Sequence, residues 1–232
     1  MNRIAEFIKK ISEVDMSKGR PVKTISMFAV PLIIGNLFQL FYTMVDTAVV
    51  GKYVGVDALA SVGATTPVVE LLIGLLIGMA NGISVVITQK IGADDKKGKE
   101  KTTVNGFYLL MGMTVVITIV GLIFLRPLFQ LINIDKDLME GALLYSRILI
   151  SGGVFTALYN YESALFRANG NSMFPLAFLI LSSVLNIVMD ILFVKYLYMG
   201  IAGAALATIL AEMICVIVCY LAMNVFCQHF LQ

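Results

Sequence analysis

Two aspartates interrupt long apolar stretches of the sequence, and they are the strongest candidates for chemistry. Asp46 and Asp190 each lie about five residues before the C-terminal end of such a stretch. At about 1.5 Å per helical residue, both carboxyls sit roughly 7 Å inside that end. A carboxylate in hydrocarbon costs on the order of 2.5 to 3.5 kcal/mol, so each aspartate is a functional candidate by default.

The remaining charged residues in or beside the apolar stretches are weaker candidates, because they can face water or pair locally. They are Glu70, Glu162 and Glu212, with Arg147 and Arg167 as possible partners.

Polar side chains recur at helical spacing on the same stretches as the two aspartates. The first stretch carries five of them close to one helical face: Asn36, Gln39, Tyr42, Thr43 and Asp46. Two later stretches add Ser182 or Ser183, Asn186 and Asp190, and then Thr208 and Glu212. Tyr145 enters its stretch from the end where the aspartates lie, and it reaches their depth.

These groups form a cation or proton site if their helices line one cavity. Two carboxylates close together outside bulk water cannot both stay ionised without a countercharge, so the pair takes up a proton or a cation. Carboxylate, amide and hydroxyl oxygens suit a hard cation such as Na⁺, and the set offers no nitrogen or sulfur ligand for a transition metal. In the alternative interpretation these side chains only hold helices together by hydrogen bonds.

The composition indicates that these residues lie in a lipid-embedded protein. Of 232 residues, 59% are hydrophobic and 14% are charged, and the mean hydropathy is +0.91. Soluble domains are about half apolar and about a quarter charged, so a soluble enzyme is excluded. The net charge of +2 does not indicate a nucleic-acid partner. Cys215, Cys219 and Cys227 fall in one apolar stretch and are interpreted as small buried hydrophobes.

Six stretches are long enough to supply the about 20 residues needed to cross hydrocarbon. Their limits are 25–50, 58–88, 102–125, 141–161, 171–194 and 196–227. Backbone groups in lipid must pair within the segment, so such stretches are helices rather than barrel strands. The sequence predicts an all-α, polytopic membrane protein with a six-helix lobe over 25–227. Residues 1–24 precede it as a cytoplasmic segment.

Lysines and arginines are unequally divided between the two sides of the predicted membrane. Most of the 17 bases lie in the N-terminal tail, in the loop after the second stretch, or at Arg167 after the fourth. Such bases are retained on the cytoplasmic side, so both termini are predicted to be cytoplasmic. Residues 4–14 fit either an interfacial amphipathic helix or a flexible polar tail.

Pro31 lies 15 residues before Asp46 in the first stretch. Proline lacks a backbone N–H and removes one hydrogen bond from the helical ladder, so the first helix is expected to bend there.

Taken together, these motifs resemble the multidrug and toxic compound extrusion family. In the first two stretches the matching residues are Pro31, Asn36, Val45-Asp46-Thr47, Val49-Val50-Gly51, Gly55, Ala58-Leu59-Ala60, Gln89 and Gly92-Ala93. Later matches are Arg167, Gly170-Asn171-Ser172, Pro175, Asn186, Asp190, Gly203-Ala204-Ala205 and Thr208. The resemblance covers nearly the whole chain after the first 20 residues.

The resemblance implies an antiporter that expels cationic or amphipathic drugs in exchange for H⁺ or Na⁺. Its coupling-ion site would consist of Asp46, Asn186, Asp190 and Thr208, which would be metal ligands only if the ion is Na⁺. Residues that support this site or bind substrate would be Gln39, Tyr42, Tyr145 and Asn160. In a mechanism proposed for the family, protonation of the first-helix aspartate bends that helix at its proline, here Pro31.

The family has two six-helix lobes around a central cavity, whereas this sequence supplies one. We therefore expect the N-terminal lobe of a transporter, with the C-terminal lobe or a second copy of the chain as partner, beside membrane lipid. The alternatives are a transport-inactive half and a lipid or polysaccharide flippase of the same superfamily, which should have cationic cavity residues. No cofactor is expected, and enzymatic hydrolysis is disfavoured because the sequence lacks His-Glu-x-x-His and Gly-x-Ser-x-Gly motifs.

Overall fold

The computed structural model of the chain describes residues 21–230, without the side chains at 21, 23, 24, 27 and 224–230. The segment proposed over residues 4–14 therefore lies outside the described part. The described chain forms seven α-helices and contains no strand. They are α1 (Pro21–Tyr53), α2 (Val56–Gly92), α3 (Lys96–Leu131), α4 (Lys136–Ser151), α5 (Gly153–Ala168), α6 (Met173–Asp190) and α7 (Gly200–Phe230). A π-helical turn, Ile191–Tyr196, continues α6.

Five helical segments of the described chain are long and apolar enough to cross a membrane, and α4 with α5 forms a sixth segment that is bent by 47°. The hydrogen bond from Lys99 Nζ to Asn169 Oδ1, at 2.9 Å, joins the start of α3 to the loop after α5. α3 runs away from this end of the bundle, so α4 and α5 together bring the chain back to it and form one crossing. The prediction of an all-α, polytopic membrane protein is confirmed.

The helices differ from the apolar stretches in their limits, because hydropathy measures transfer into lipid rather than helix length. α3 begins at Lys96 and ends at Leu131, several residues beyond the stretch 102–125 at each end. The fourth stretch, 141–161, is not one straight helix, since the chain breaks at Gly152. Before α6, the side chain of Asn171 accepts hydrogen bonds from the backbone N–H groups of Met173 and Phe174, both at 3.1 Å.

Two helices occupy the centre of the bundle. α2 packs against α3, α4 and α5, while α7 packs against α4, α5 and α6. α1 packs mainly against α6 and makes little contact with α2. This leaves a gap between α1 and α2 that opens into the interior. Many apolar side chains of α1, among them Leu40, Phe41 and Met44, are exposed on the other faces of the helix, as expected for a helix that faces lipid or another protein.

The bend between α4 and α5 lies against α7 at a point where only glycine fits. A Cβ atom at Gly152 would overlap the side chain of Ile209 on α7. Small side chains also line the buried face of α7, where Ala204, Ala207 and Ala211 are fully buried. Small residues let helix backbones approach closely in membranes, so they fix the position of α7 against α5.

The N-terminus of α3 is held by Asp95. Its Oδ1 accepts a hydrogen bond from the Gly98 N–H at 2.8 Å, and its Oδ2 lies 3.1 Å from Lys90 Nζ. The Gly98 N–H, and next the Lys90 ammonium, lower the pKa of Asp95 below its ordinary value. The loop between α2 and α3 is therefore tied at the end of the bundle that carries most of the described lysines.

Substitution of Gly152 by alanine is expected to destabilise the bundle by about 1–3 kcal/mol, since the added methyl forces Ile209 out of place. Thermal unfolding of the purified protein in detergent measures the effect. Gly112→Ala is the matched control, because a Cβ at Gly112 meets no atom within 4 Å. The double variant Gly152→Ala/Ile209→Ala should recover part of the loss, and equal destabilisation by both glycine variants would contradict the packing argument.

Replacement of Asp95 by alanine is expected to lower the stability at neutral pH, because α3 loses its cap and Lys90 loses its partner. A lowered pKa means that this stabilisation is present above the ordinary aspartate value of 3.8 and is lost as the pH falls through the folded-state value. The free energy of unfolding, measured across a pH series, should differ less between wild type and Asp95→Ala as the pH falls. Asp95→Asn, which keeps an oxygen acceptor, should be less destabilised. A difference that does not change with pH would contradict the assignment.

Candidate functional site

A cavity of about 730 Å³ lies inside the bundle between α1, α2, α5, α6 and α7. The sequence did not predict that α2 would contribute, although Glu70 and Asn81 on α2 both line this cavity. Its polar lining residues are Asn36, Gln39, Tyr42, Thr43, Glu70, Asn81, Thr156, Tyr159, Asn160, Ser163, Arg167, Ser182, Ser183, Asn186, Thr208 and Glu212. Pro31 also lines the cavity, near its end at Arg167.

Asp46 and Asp190 meet beyond one end of this cavity. Both are buried, and Asp190 is fully so. Their carboxyl groups lie within hydrogen-bonding distance of each other, because α1 packs along α6. The Oδ1 atom of each has no hydrogen-bond partner within the described chain. Two buried carboxyls in contact need a shared proton or a cation between them.

Asn186 connects Asp190 to α7. With its amide oriented to satisfy both neighbours, its nitrogen donates to Asp190 Oδ2 at 3.2 Å, and its oxygen accepts from Thr208 Oγ1 at 3.2 Å. The structure therefore brings Asp46, Asn186, Asp190 and Thr208 into one cluster of oxygens from three helices. Unpartnered carboxylate oxygens beside an amide and a hydroxyl fit a proton or a hard cation such as Na⁺.

Tyr145 lies beside the aspartates but does not line the cavity. It packs in an apolar cluster with Val49, Val50, Val194 and Ala204, within electrostatic range of Asp46 and Asp190. The residues that connect the aspartates to the cavity are Tyr42, Asn186 and Thr208, which line it.

The other predicted residues line the cavity itself. Gln39 and Tyr42 reach it from α1, and Asn160 from α5. The amide of Asn160 donates to the backbone carbonyl of Thr156 at 2.8 Å. Pro31 is buried, and α1 runs through it as one helix. The structure thus places Pro31 at the opposite end of the cavity from Asp46.

Glu212 and Thr156 form a contact that the sequence did not indicate. Thr156 Oγ1 donates to Glu212 Oε2 at 2.5 Å, joining α5 to α7 across the cavity wall. Threonine is common in membrane helices, so no sequence signal distinguished Thr156. Arg167 also lines the cavity and donates to Asn81 Oδ1 at 3.1 Å, whereas Arg147 is exposed and not part of the lining.

No cluster of three or more His, Cys, Asp or Glu residues in the described part of the chain could hold a metal ion. A cation at Asp46 and Asp190 would therefore depend on the oxygens of Asn186 and Thr208 as well. Glu162 is buried on α5 outside the cavity, where its Oε2 has no partner within residues 21–230.

Six membrane crossings around an internal polar cavity define a multi-pass membrane protein of the transporter type. Residues 31–192 match the MatE family model, and the chain belongs to this family. It is similar to two proteins of Bacillus subtilis (strain 168). They are named Probable multidrug resistance protein YoeA, 32% identical over 207 residues, and Probable multidrug resistance protein YpnP, 30% identical over 199 residues.

Both alignments cover 85% of this chain and 44% of the relative, so the chain spans less than half the length of these proteins. A crystal structure of MATE in the bent conformation superposes with a TM-score of 0.82 at 31% identity, covering 89% of this chain and 46% of that one. These relatives are transporters and not enzymes, which confirms the corresponding prediction from the sequence.

Proposed function

We propose that this chain is the cation-coupled lobe of a secondary antiporter that exports cationic or amphipathic drug-like molecules in exchange for H⁺ or Na⁺. The contact between Asp46 and Asp190 carries the proposal, because two buried carboxyls at the end of a polar cavity need a proton or a cation. The names of the bacterial relatives support the drug-like class of substrate. No cofactor takes part.

In this proposal the coupling ion binds between Asp46 on α1 and Asp190 on α6, and Asn186 and Thr208 supply further oxygens. The ion removes the repulsion between the two carboxylates and so favours close packing of α1 on α6. Tyr42 lies one turn from Asp46 and also lines the cavity, so movement of α1 alters the cavity wall. Pro31 leaves one backbone carbonyl of α1 unpaired and provides the hinge.

Drug and ion are linked through this movement of α1. If the ion favours one position of α1 and the drug favours the other, each lowers the affinity for the other by the same factor. Gln39 on α1 and Asn160 on α5 both line the cavity and supply adaptable hydrogen-bonding groups for the drug.

We also propose that the end of the bundle with Lys99 and Arg167 faces the cytoplasm, with both termini on that side of a bacterial inner membrane. The unequal distribution of bases supports this orientation. The gap between α1 and α2 opens the cavity toward a partner, which is a C-terminal lobe or a second copy of this chain. Residues 1–24 precede the lobe, and residues 25–227 form it.

A flippase of the same superfamily is the second candidate, and Arg167 in the cavity wall favours it because a guanidinium binds phosphate. However, Arg167 donates to Asn81, and the same cavity is lined by two acids, Glu70 and Glu212. A half that binds ligands without transporting them is the third candidate, and flux measurements distinguish it.

Neutralising either aspartate should abolish ion displacement by a drug. Ethidium added to the purified chain in detergent is expected to release protons or Na⁺, measured with a pH indicator and with ²²Na⁺. Asp46→Asn and Asp190→Asn should eliminate the release while the protein still folds and inserts. Asp57→Asn, an acid at the N-terminus of α2 outside the cavity, is the matched control. Wild-type release in both site variants would reject the proposed site.

The same variants in proteoliposomes separate transport from binding. Ethidium-dependent H⁺ or Na⁺ flux in wild type, lost in Asp46→Asn, supports the antiporter. Ion release without flux supports a half that only binds, and transport of a fluorescent phospholipid without ethidium flux supports the flippase.

Cysteine labelling tests the proposed orientation. In a Cys227→Ser background, Lys136→Cys should react with a membrane-impermeant maleimide on intact spheroplasts, because Lys136 is exposed at the outer end of α4. Lys97→Cys, exposed at the start of α3, should react only after permeabilisation. The reverse pattern would contradict the orientation.

A further inference from the structure

We propose that Glu212, together with Thr156, Tyr42 and Tyr159, forms a separate subsite that binds the positively charged group of an organic substrate. The inference rests on the proposed transport function and names the residue that selects cations. It concerns the cavity wall and not the buried aspartate pair.

Glu212 is a carboxylate in the cavity wall with no cationic partner among the described side chains. It is partly buried on α7 and lines the cavity. Its one hydrogen bond within the described chain is the bond that Oε2 accepts from Thr156 Oγ1 at 2.5 Å. The two ion pairs among the described side chains join Lys90 to Asp95 and Arg126 to Glu140, so neither involves Glu212. A hydroxyl fixes the position of the carboxylate but does not neutralise it.

Arg167, the one arginine in the cavity lining, is too distant to serve as the countercharge. It follows Thr156 by eleven residues on α5, which corresponds to about 16 Å along a helix. Its guanidinium donates to Asn81 Oδ1 on α2 at 3.1 Å. Any neutralising charge at Glu212 must therefore come from a proton or from a bound ligand.

Two tyrosines give the space around Glu212 the character of an organic-cation site. Tyr42 and Tyr159 both line the cavity and lie within electrostatic range of the Glu212 carboxylate. The face of an aromatic ring attracts a cation, and this attraction is stronger when water is partly excluded. A carboxylate with two adjacent phenol rings favours a bulky cation with apolar substituents over a small, strongly hydrated ion.

The subsite differs in position and access from the aspartate pair. Glu212 follows Thr208 by one helical turn, about 6 Å toward the open part of the cavity. Asp46 and Asp190 do not line the cavity, whereas Glu212 does. A small ion can therefore occupy the buried oxygens while a larger cation occupies the cavity, and the two positive charges repel one another across one turn of α7.

A structural role is the competing explanation, because the Thr156 hydrogen bond joins α5 to α7. The two explanations make different predictions for Glu212→Gln. Glutamine keeps an oxygen that accepts from Thr156 and has nearly the same volume, so a purely structural role is preserved. Only the negative charge is lost.

Equilibrium binding to the purified chain in detergent tests the subsite with tetraphenylphosphonium, a permanent cation, and triphenylphosphine oxide, a neutral analogue. Glu212→Gln should weaken tetraphenylphosphonium binding by about tenfold and change binding of the neutral probe by less than about twofold. Thr156→Val should also weaken cation binding, whereas Thr156→Ser, which keeps the hydroxyl, should bind the cation as wild type does. Glu70→Gln is the matched control, because Glu70 lines the same cavity but is exposed.

Unchanged tetraphenylphosphonium affinity in Glu212→Gln would overturn the inference. An equal loss for both probes would also overturn it, because it would indicate a structural role. An equal loss of tetraphenylphosphonium affinity in Glu70→Gln would overturn it as well, because the overall negative charge of the cavity would then attract the cation. Failure of the coupling proposal is measured separately: wild type would then release no proton or Na⁺ on binding the cation, while the selective effect of Glu212→Gln remains.

Discussion

The contact between two carboxyl groups inside an apolar bundle is the constraint on which the rest of this structure depends. Asp46 and Asp190 are held together by the packing of α1 along α6, although each carboxyl has a buried oxygen without a partner. Such an arrangement is costly unless a proton or cation occupies it. The packing of α1 and the occupancy of the site are therefore coupled in free energy.

The remainder of the bundle encloses a cavity beside this contact. The apolar cluster that contains Tyr145 packs beside the aspartates, and the bend at Gly152 allows α5 to follow α7 closely. Because α1 makes little contact with α2, the cavity remains open between them. The movement of α1 in the proposed mechanism would therefore disrupt little of its contact with α2.

In the proposed mechanism, two kinds of positive charge bind through different chemistry along α7. Near Thr208, converging oxygens suit a proton or a small, hard cation, whereas at Glu212 a single anchored carboxylate beside tyrosine rings suits a larger organic cation. The separation by one turn is short enough for the two charges to oppose each other in a medium of low dielectric constant. An exchange of one for the other then needs no direct overlap of their binding sites.

The sequence by itself determined the helical class, the crossings and the depth of each polar residue, because hydropathy and helical spacing are properties of a single segment. It also placed Asn186 and Asp190 on one face of α6, and Asp46 at the same depth on α1. The family motifs were sufficient to select Thr208. These predictions need only the rise per residue and the cost of charge in lipid.

Only the tertiary structure decided which faces meet. Three features depend on which helices pack against each other: the bend at Gly152, the contribution of α2 to the cavity and the bond between Thr156 and Glu212. Lipid is as apolar as the helix faces themselves, so hydropathy cannot distinguish a lipid-facing surface from a buried one. The close fit of small side chains, such as Gly152 against Ile209, selects the partner, and that fit exists only between folded helices.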